Sequence, residues 1–159
     1  MVLVLLGTQN NSFHRLLDEI QKNIDNGNIS EEVIVQKGYT KFESKDMILY
    51  NQLPIDELNE LIGKADLVIT HGGVGSIITS ISMNKKVIAV PRLSQYNEHV
   101  NDHQLDIINS FDEMGYIIGL HGVDELENAL KKVGDFIPNK YVKNTGNKVK
   151  IVGDFIDNN

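Results

Sequence analysis

Apolar positions along this chain switch repeatedly between two periods. Unbroken apolar runs of strand length alternate with stretches in which apolar residues recur every three or four positions, the pattern of an α/β domain with a mainly parallel sheet. Residues 2–6, Val2-Leu3-Val4-Leu5-Leu6, are apolar throughout, as a strand covered on both faces must be. Phe13, Leu16, Leu17, Ile20 and Ile24 then predict a helix, with Asn11 or Ser12 as its cap and Asn26-Gly27-Asn28 as its stop. Residues 33–35 and 47–50 read as the second and third strands, separated by a polar loop over 37–46 that has no period of its own. Ile55, Leu58, Leu61 and Ile62 mark a short helix behind Pro54, closed by Gly63. A fourth strand over 66–70 runs directly into His71-Gly72-Gly73-Val74-Gly75-Ser76, after which Val74, Ile77, Ile78 and Ile81 resume the helical period. A fifth strand over 87–90 ends at Pro91, and a helix near 98–111, a strand over 116–120 and a helix carrying Val123, Leu126, Leu130 and Val133 complete the series. Six strands with intervening helices predict a Rossmann-like doubly wound sheet. No linker composition or repeat divides the chain, so 1–159 is read as one domain, with 153–159 as a frayed tail.

Composition narrows the function classes. Fifteen Lys and Arg against 22 Asp and Glu leave a net charge of -7, so no broad basic face is available for a nucleic acid. The apolar runs are far shorter than the roughly 18 residues of a membrane span. The N-terminus lacks the basic region of a targeting signal, and a cytoplasmic protein is expected. With no cysteine there is neither a disulfide framework nor a thiolate metal site.

In a parallel sheet the ligand crevice lies outside the strand carboxyl ends, which directs attention to the segments after the first, fourth and fifth strands. After the fourth, Gly72, Gly73 and Gly75 stand between a buried strand and a helix start. Glycine lets a ligand approach the main chain, and the first helical N–H groups point outward unpaired, in the positive field of the helix dipole. A diphosphate suits that arrangement, with Ser76 as a hydroxyl donor; a tight strand-to-helix turn alone would also use these glycines. The segment is neither a P-loop nor the dinucleotide fingerprint, which argues against ATP hydrolysis and NAD. After the fifth strand comes a polar run from Pro91 and Arg92 through Glu98, Asn101, Asp102, His103 and Gln104, a composition suited to hydroxyl groups and hence to a sugar, or to a solvated helix cap. His99 and His103, four apart, would share a helix face as a metal pair, but Val100 stands where a zincin has Glu and no third ligand is evident. No metal and no cofactor are therefore expected. Gly7-Thr8-Gln9 forms a further turn at the same edge, where Thr8 and Gln9 either reach phosphates or only begin the helix, whereas His14 and Arg15 read as surface residues.

Taken together, Gly7-Thr8-Gln9, the run from Ala65 through His71-Gly72-Gly73-Val74-Gly75-Ser76, Pro91-Arg92 and Asn101-Asp102-His103-Gln104 resemble the C-terminal domain of family 28 glycosyltransferases. The likeness covers roughly residues 1–132 and is greatest to short bacterial exopolysaccharide and capsule galactosyltransferase subunits. It is more distant to the cytosolic subunit of the eukaryotic enzyme that adds N-acetylglucosamine to dolichol-linked diphosphate. The resemblance implies the donor half of a GT-B enzyme, with residues 72–76 holding the diphosphate of a UDP-sugar. It puts Glu98, Asp102, His103 and Gln104 near the ribose or donor sugar, and residues 51–54 near uracil. Thr79 stands where related full-length enzymes carry an acidic ribose ligand, which implies either that this contact passes to Glu98 or that binding is weaker. His71 and Glu98 are the candidate catalytic residues, and Gly7, Thr8, Gln9, Arg92 and Asn101 join the donor-binding set.

A GT-B active site lies between two domains and this chain supplies one. The resemblance therefore implies a membrane-associated acceptor-binding subunit, a lipid-linked glycan as acceptor, and residues 141–156 as the docking segment. Activity would then need the partner, at the inner face of a membrane. Two other classes remain open from the residues: a non-catalytic UDP-sugar-binding accessory subunit, and a UDP-sugar epimerase, which the chain length disfavours.

Overall fold

The computed structural model describes residues 1–142. Its centre is one sheet of six strands, all parallel: β1 (Val2–Leu5), β2 (Val33–Gln36), β3 (Met47–Tyr50), β4 (Leu67–His71), β5 (Lys86–Val90) and β6 (Ile118–Gly119). Their spatial order is β3-β2-β1-β4-β5-β6, the doubly wound arrangement. Because side chains alternate across a strand, β1 divides its apolar residues between two cores. Val2 and Val4 meet Val33, Val35 and Ile69 beneath α1 (His14–Asp25) and α5 (Leu126–Lys132). Leu3 and Leu5 meet Ile34, Val68 and Ala89 beneath α2 (Ile55–Lys64), α3 (Val74–Ser82) and α4 (His103–Glu113). Burial on both faces explains why the inner strands read as continuous apolar runs.

The order of the strands creates the functional geography. From β1 the chain winds outward through β2 to β3, returns through α2, and then winds the other way through β4, β5 and β6. The loops leaving β1 and β4 therefore diverge at their carboxyl ends and open a crevice between them.

Several local expectations are corrected. Helix α1 is not capped by Asn11 or Ser12; Phe13 precedes it, and the Phe13 N–H donates to Thr40 Oγ1 at 2.9 Å. The 37–46 connection that supplies Thr40 is anchored further by a hydrogen bond from Ser44 to Gln21 of α1. Gly63 does not close α2, which runs one residue further to Lys64. His71 is the last residue of β4 rather than the first of the turn. Helix α4 starts at His103, not near Glu98, because Asn97 adopts a left-handed φ of 57° and the following polar side chains bond to nearby main-chain groups. His99 lies outside α4, so His99 and His103 do not share a helix face. The expected frayed tail and all but Tyr141 and Val142 of the expected docking segment lie outside the described residues.

Candidate functional site

A cavity of about 770 Å³ opens at the diverging ends of β1 and β4. One wall is the segment Thr8, Gln9, Asn10 and Asn11 that follows β1, and another is His71 to Val74 at the tip of β4. His99, Val100, Gln104 and Ile107 close the side nearest β5 and α4. The boundary between these walls is set by close main-chain approach. Gly7 has φ +80°, and a Cβ there would stand 2.6 Å from His71 Nε2; a Cβ on Gly73 would stand 2.5 Å from His71 Cε1. Both positions require glycine because the imidazole fills the space between them.

Glycine also leaves the helix start bare. The first hydrogen bond of α3 is Ile77 N–H to Gly73 O, 3.1 Å, so the N–H groups of Val74, Gly75 and Ser76 precede it and have no helical acceptor. Gly75 is exposed, and a Cβ there would meet nothing within 4 Å. Partial positive charge thus faces the crevice from the main chain, without a lysine or arginine among the described residues of the cavity wall.

Behind the crevice lies a buried polar layer. Gln104, in the first turn of α4, accepts the N–H of Gly72 and of Arg92 on Oε1, both at 3.0 Å, and its Nε2 lies 3.1 Å from His71 Nδ1. His71 is 7% exposed, and burial, aided by the Arg92 charge, pushes its pKa down to about 3, against a smaller opposing effect of the Gln104 hydrogen bond. Arg92 is buried too; its guanidinium donates to the carbonyls of Leu6, Asn11 and Glu98 and stacks 5.1 Å from the Phe13 ring. Burial lowers the Arg92 pKa to about 10, with the Glu98 carboxylate acting in the other direction. Arg92 therefore tethers three loop carbonyls rather than presenting its charge to the cavity.

Glu98 is 2% exposed and turned away from the cavity. Its carboxylate accepts both Arg15 Nε (2.8 Å) and Arg15 Nη2 (2.9 Å), together with the Leu93 N–H at 3.1 Å. Arg15, expected as a surface residue, instead forms a bidentate bridge across 83 positions of sequence, capped by the Tyr96 ring 3.6 Å from its guanidinium carbon. Asp102 is exposed, and the Ser94 N–H it accepts at 2.8 Å holds its carboxyl below the usual value. Asn101 accepts the N–H of His103 at 3.0 Å.

The structure thus brings Thr8, Gln9, His71, Gly72, Gly73, Val74 and Gln104 to one cavity wall, with Gly7 directly behind His71. Gly75 and Ser76 stand at the adjoining helix start. Arg92, Glu98, Asn101, Asp102 and His103 are not part of the wall. Asn51 and Gln52 border a separate groove of about 500 Å³, with Lys37, Gly38 and Tyr39, at the ends of β2 and β3. The sequence pattern does not mark Asn10, Asn11, Val100 and Ile107 as site residues; Asn11 before a helix reads as a cap, and two apolar side chains carry no chemical signal. Among the described residues no group of three or more His, Asp or Glu side chains is gathered so as to hold a metal ion.

Comparison with known proteins agrees with this fold. A subunit of UDP-N-acetylglucosamine transferase, ALG13 of Candida glabrata, is 28% identical over 121 residues, covering 74% of this chain and 58% of that protein. The Candida albicans ALG13 subunit is 30% identical over 91 residues, 57% of this chain and 29% of its own length. The chain thus matches less than two thirds of either relative. A solution structure of ALG13 superposes with a TM-score of 0.65 at 18% identity, over 98% of this chain and 96% of that one. The Streptomyces glycosyltransferase SsfS6, solved with thymidine diphosphate, gives 0.57 at 17% identity over 98% of this chain but only 37% of the larger enzyme. At these identities the structures share the fold, an α/β domain equivalent to one Rossmann-like half of a GT-B enzyme. The model of the glycosyltransferase family 28 C-terminal domain matches residues 1–158, and the chain belongs to that family.

Proposed function

We propose that this chain is the donor-binding half of a UDP-sugar-dependent glycosyltransferase. The observation that carries the reading is the wall of the switch-point cavity. In a chain of net charge -7, no Asp or Glu among the described residues borders it, while three main-chain N–H groups at the start of α3 and the polar side chains of Thr8, Gln9, Asn10 and Asn11 do or adjoin it. An anionic diphosphate is stabilised by such donors, and they act on the charge that develops on the leaving nucleotide as the glycosidic bond breaks. The amides and hydroxyl of residues 8–11 are of the type that holds sugar hydroxyls.

The donor is a UDP-hexose, with galactose or N-acetylglucosamine as the transferred sugar, and the acceptor is a lipid-linked glycan of exopolysaccharide or capsule assembly. The ALG13 relatives are named as subunits of a UDP-N-acetylglucosamine transferase, which supports both the donor class and the need for a second chain. That second chain is a membrane-associated acceptor-binding subunit, and it draws this protein to the cytoplasmic face of the membrane. It also supplies the base for the acceptor hydroxyl, because Glu98 is held by Arg15 and no carboxylate among the described residues lines the cavity.

Reconstitution tests the reading: purified chain, membranes carrying the partner subunit and radiolabelled UDP-galactose or UDP-N-acetylglucosamine. Label should enter the lipid fraction, and Gly75→Asp, which places a carboxylate before the free amides of α3, should abolish transfer. Transfer that proceeds equally with Gly75→Asp would assign the chain an accessory role, and failure of the chain to bind UDP would overturn the reading.

A further inference from the structure

The side-chain amide of Gln104 can be oriented from its partners alone. Two main-chain N–H groups, those of Gly72 and Arg92, converge on one of its terminal atoms at 3.0 Å each, and only the oxygen of an amide accepts. The other terminal atom is therefore the NH2 group, and it faces His71 Nδ1 at 3.1 Å. An NH2 group donates, so Nδ1 must carry the lone pair and the ring proton must reside on Nε2. Nε2 lies in the notch between Gly7 and Gly73, where a Cβ on either residue would approach it to 2.6 or 2.7 Å. The His71 ring makes no other hydrogen bond among the described residues, and His71 is part of the cavity wall.

We infer that Gln104 is a positioning residue: it locks His71 as the neutral Nε2–H tautomer and aims that N–H into the switch-point cavity as a donor to an oxygen of the bound diphosphate. The ligand half of this statement rests on the function proposed above; the tautomer does not. The assignment changes the role expected for Gln104. The oxygen and one N–H of its amide are engaged within the protein, so it acts through His71 and Gly72. Burial and the neighbouring Arg92 charge both disfavour the imidazolium, consistent with a donor that stays uncharged. By joining the ends of β4 and β5 to α4, the same side chain also fixes the entry to the glycine turn.

Long-range ¹H–¹⁵N correlation spectra of the uniformly labelled full chain, without ligand, read the tautomer directly. His71 should show a pyridine-like Nδ1 and a pyrrole-like Nε2. In Gln104→Glu, one carboxylate oxygen still accepts Gly72 and Arg92, but the other has no proton to offer and can only accept a hydrogen bond from a protonated Nδ1. The pattern should then reverse to Nδ1–H or become that of the cation, with UDP affinity lowered about tenfold or more, equivalent to about 1.4 kcal/mol. Gln104→Met, which cannot bond either way, should give a mixture of tautomers and serves if the glutamate variant folds poorly. A parent spectrum with the proton on Nδ1 would overturn the inference, as would a reversed tautomer that leaves UDP affinity unchanged. If the parent spectrum is as expected but the parent binds no UDP, the tautomer assignment stands and the diphosphate reading falls.

Discussion

Alanine at Gly7 and alanine at Gly75 should move stability in opposite directions, although both glycines belong to the same end of the sheet. At Gly7 the main chain has φ +80°, a conformation in which a Cβ costs about 1–2 kcal/mol. That Cβ would also stand 2.6 Å from His71 Nε2 and 2.7 Å from Cε1, against a comfortable carbon contact of about 3.5–4.0 Å. The ring has no free retreat, because Gly73 lies against its far edge and Gln104 holds Nδ1. Forcing an atom into a packed site typically costs about 1–3 kcal/mol, which brings the expected loss to about 3 kcal/mol. For a domain of this size that corresponds to a fall in Tm of about 6–12 °C. At Gly75 the added methyl group meets nothing within 4 Å and the backbone is helical, so alanine should gain up to about 1 kcal/mol. Urea unfolding of the two variants beside the parent, with the slope m compared to confirm one common transition, measures both values. A Gly7→Ala chain as stable as the parent, or two variants shifted in the same direction, would refute the reasoning that the imidazole occupies the space a Cβ needs.

Two other outcomes follow from the buried polar layer. Arg15→Met should destabilise by about 2 kcal/mol, below the roughly 3–5 of a fully buried broken pair because Arg15 is partly exposed, and a double-mutant cycle with Glu98→Gln should return a coupling above about 1 kcal/mol; no coupling would mean that the bridge does not organise the segment after β5. His71 titrates near 3 when folded and near its usual 6.5 when unfolded, so between those values the unfolded chain holds the extra proton and stability falls as pH falls. Compared with His71→Asn, the parent should lose about 1.4 kcal/mol more per pH unit on acidification below pH 6, with no difference in slope above pH 7; parallel profiles would show a ring that is already protonated or freely solvated in the fold.

The strands were legible because the inner ones are buried on both faces, which leaves no polar position to blur the run, and the strand order then dictates where the crevice opens. The glycine turn was legible for a related reason: close approach of main chain to His71 and Gln104 excludes other residues at Gly72 and Gly73. What sequence pattern could not supply were partnerships between distant positions. Thr40 caps α1 from 27 residues away, so Asn11 and Ser12 drew attention as better local caps. Glu98 has the chemistry of a sugar ligand, yet Arg15 claims it across 83 residues, and nothing in the spacing announces a bidentate pair between α1 and the segment after β5. The start of α4 was misplaced because Asn101 and Asp102 satisfy nearby main-chain N–H groups themselves and so compete with helix formation. Gln104 reads as one polar residue among many; only its three partners reveal it as the junction of two strands and a helix.

The account depends most on the anion-binding character of the crevice between β1 and β4. Titration of the ¹⁵N-labelled chain with UDP, followed amide by amide, addresses it directly. The account predicts saturable shifts largest at Val74, Gly75 and Ser76, accompanied by Thr8 to Asn11, with UMP producing weaker changes at the same amides. Shifts confined to the groove of Lys37, Tyr39, Asn51 and Gln52, or none at the start of α3, would contradict it.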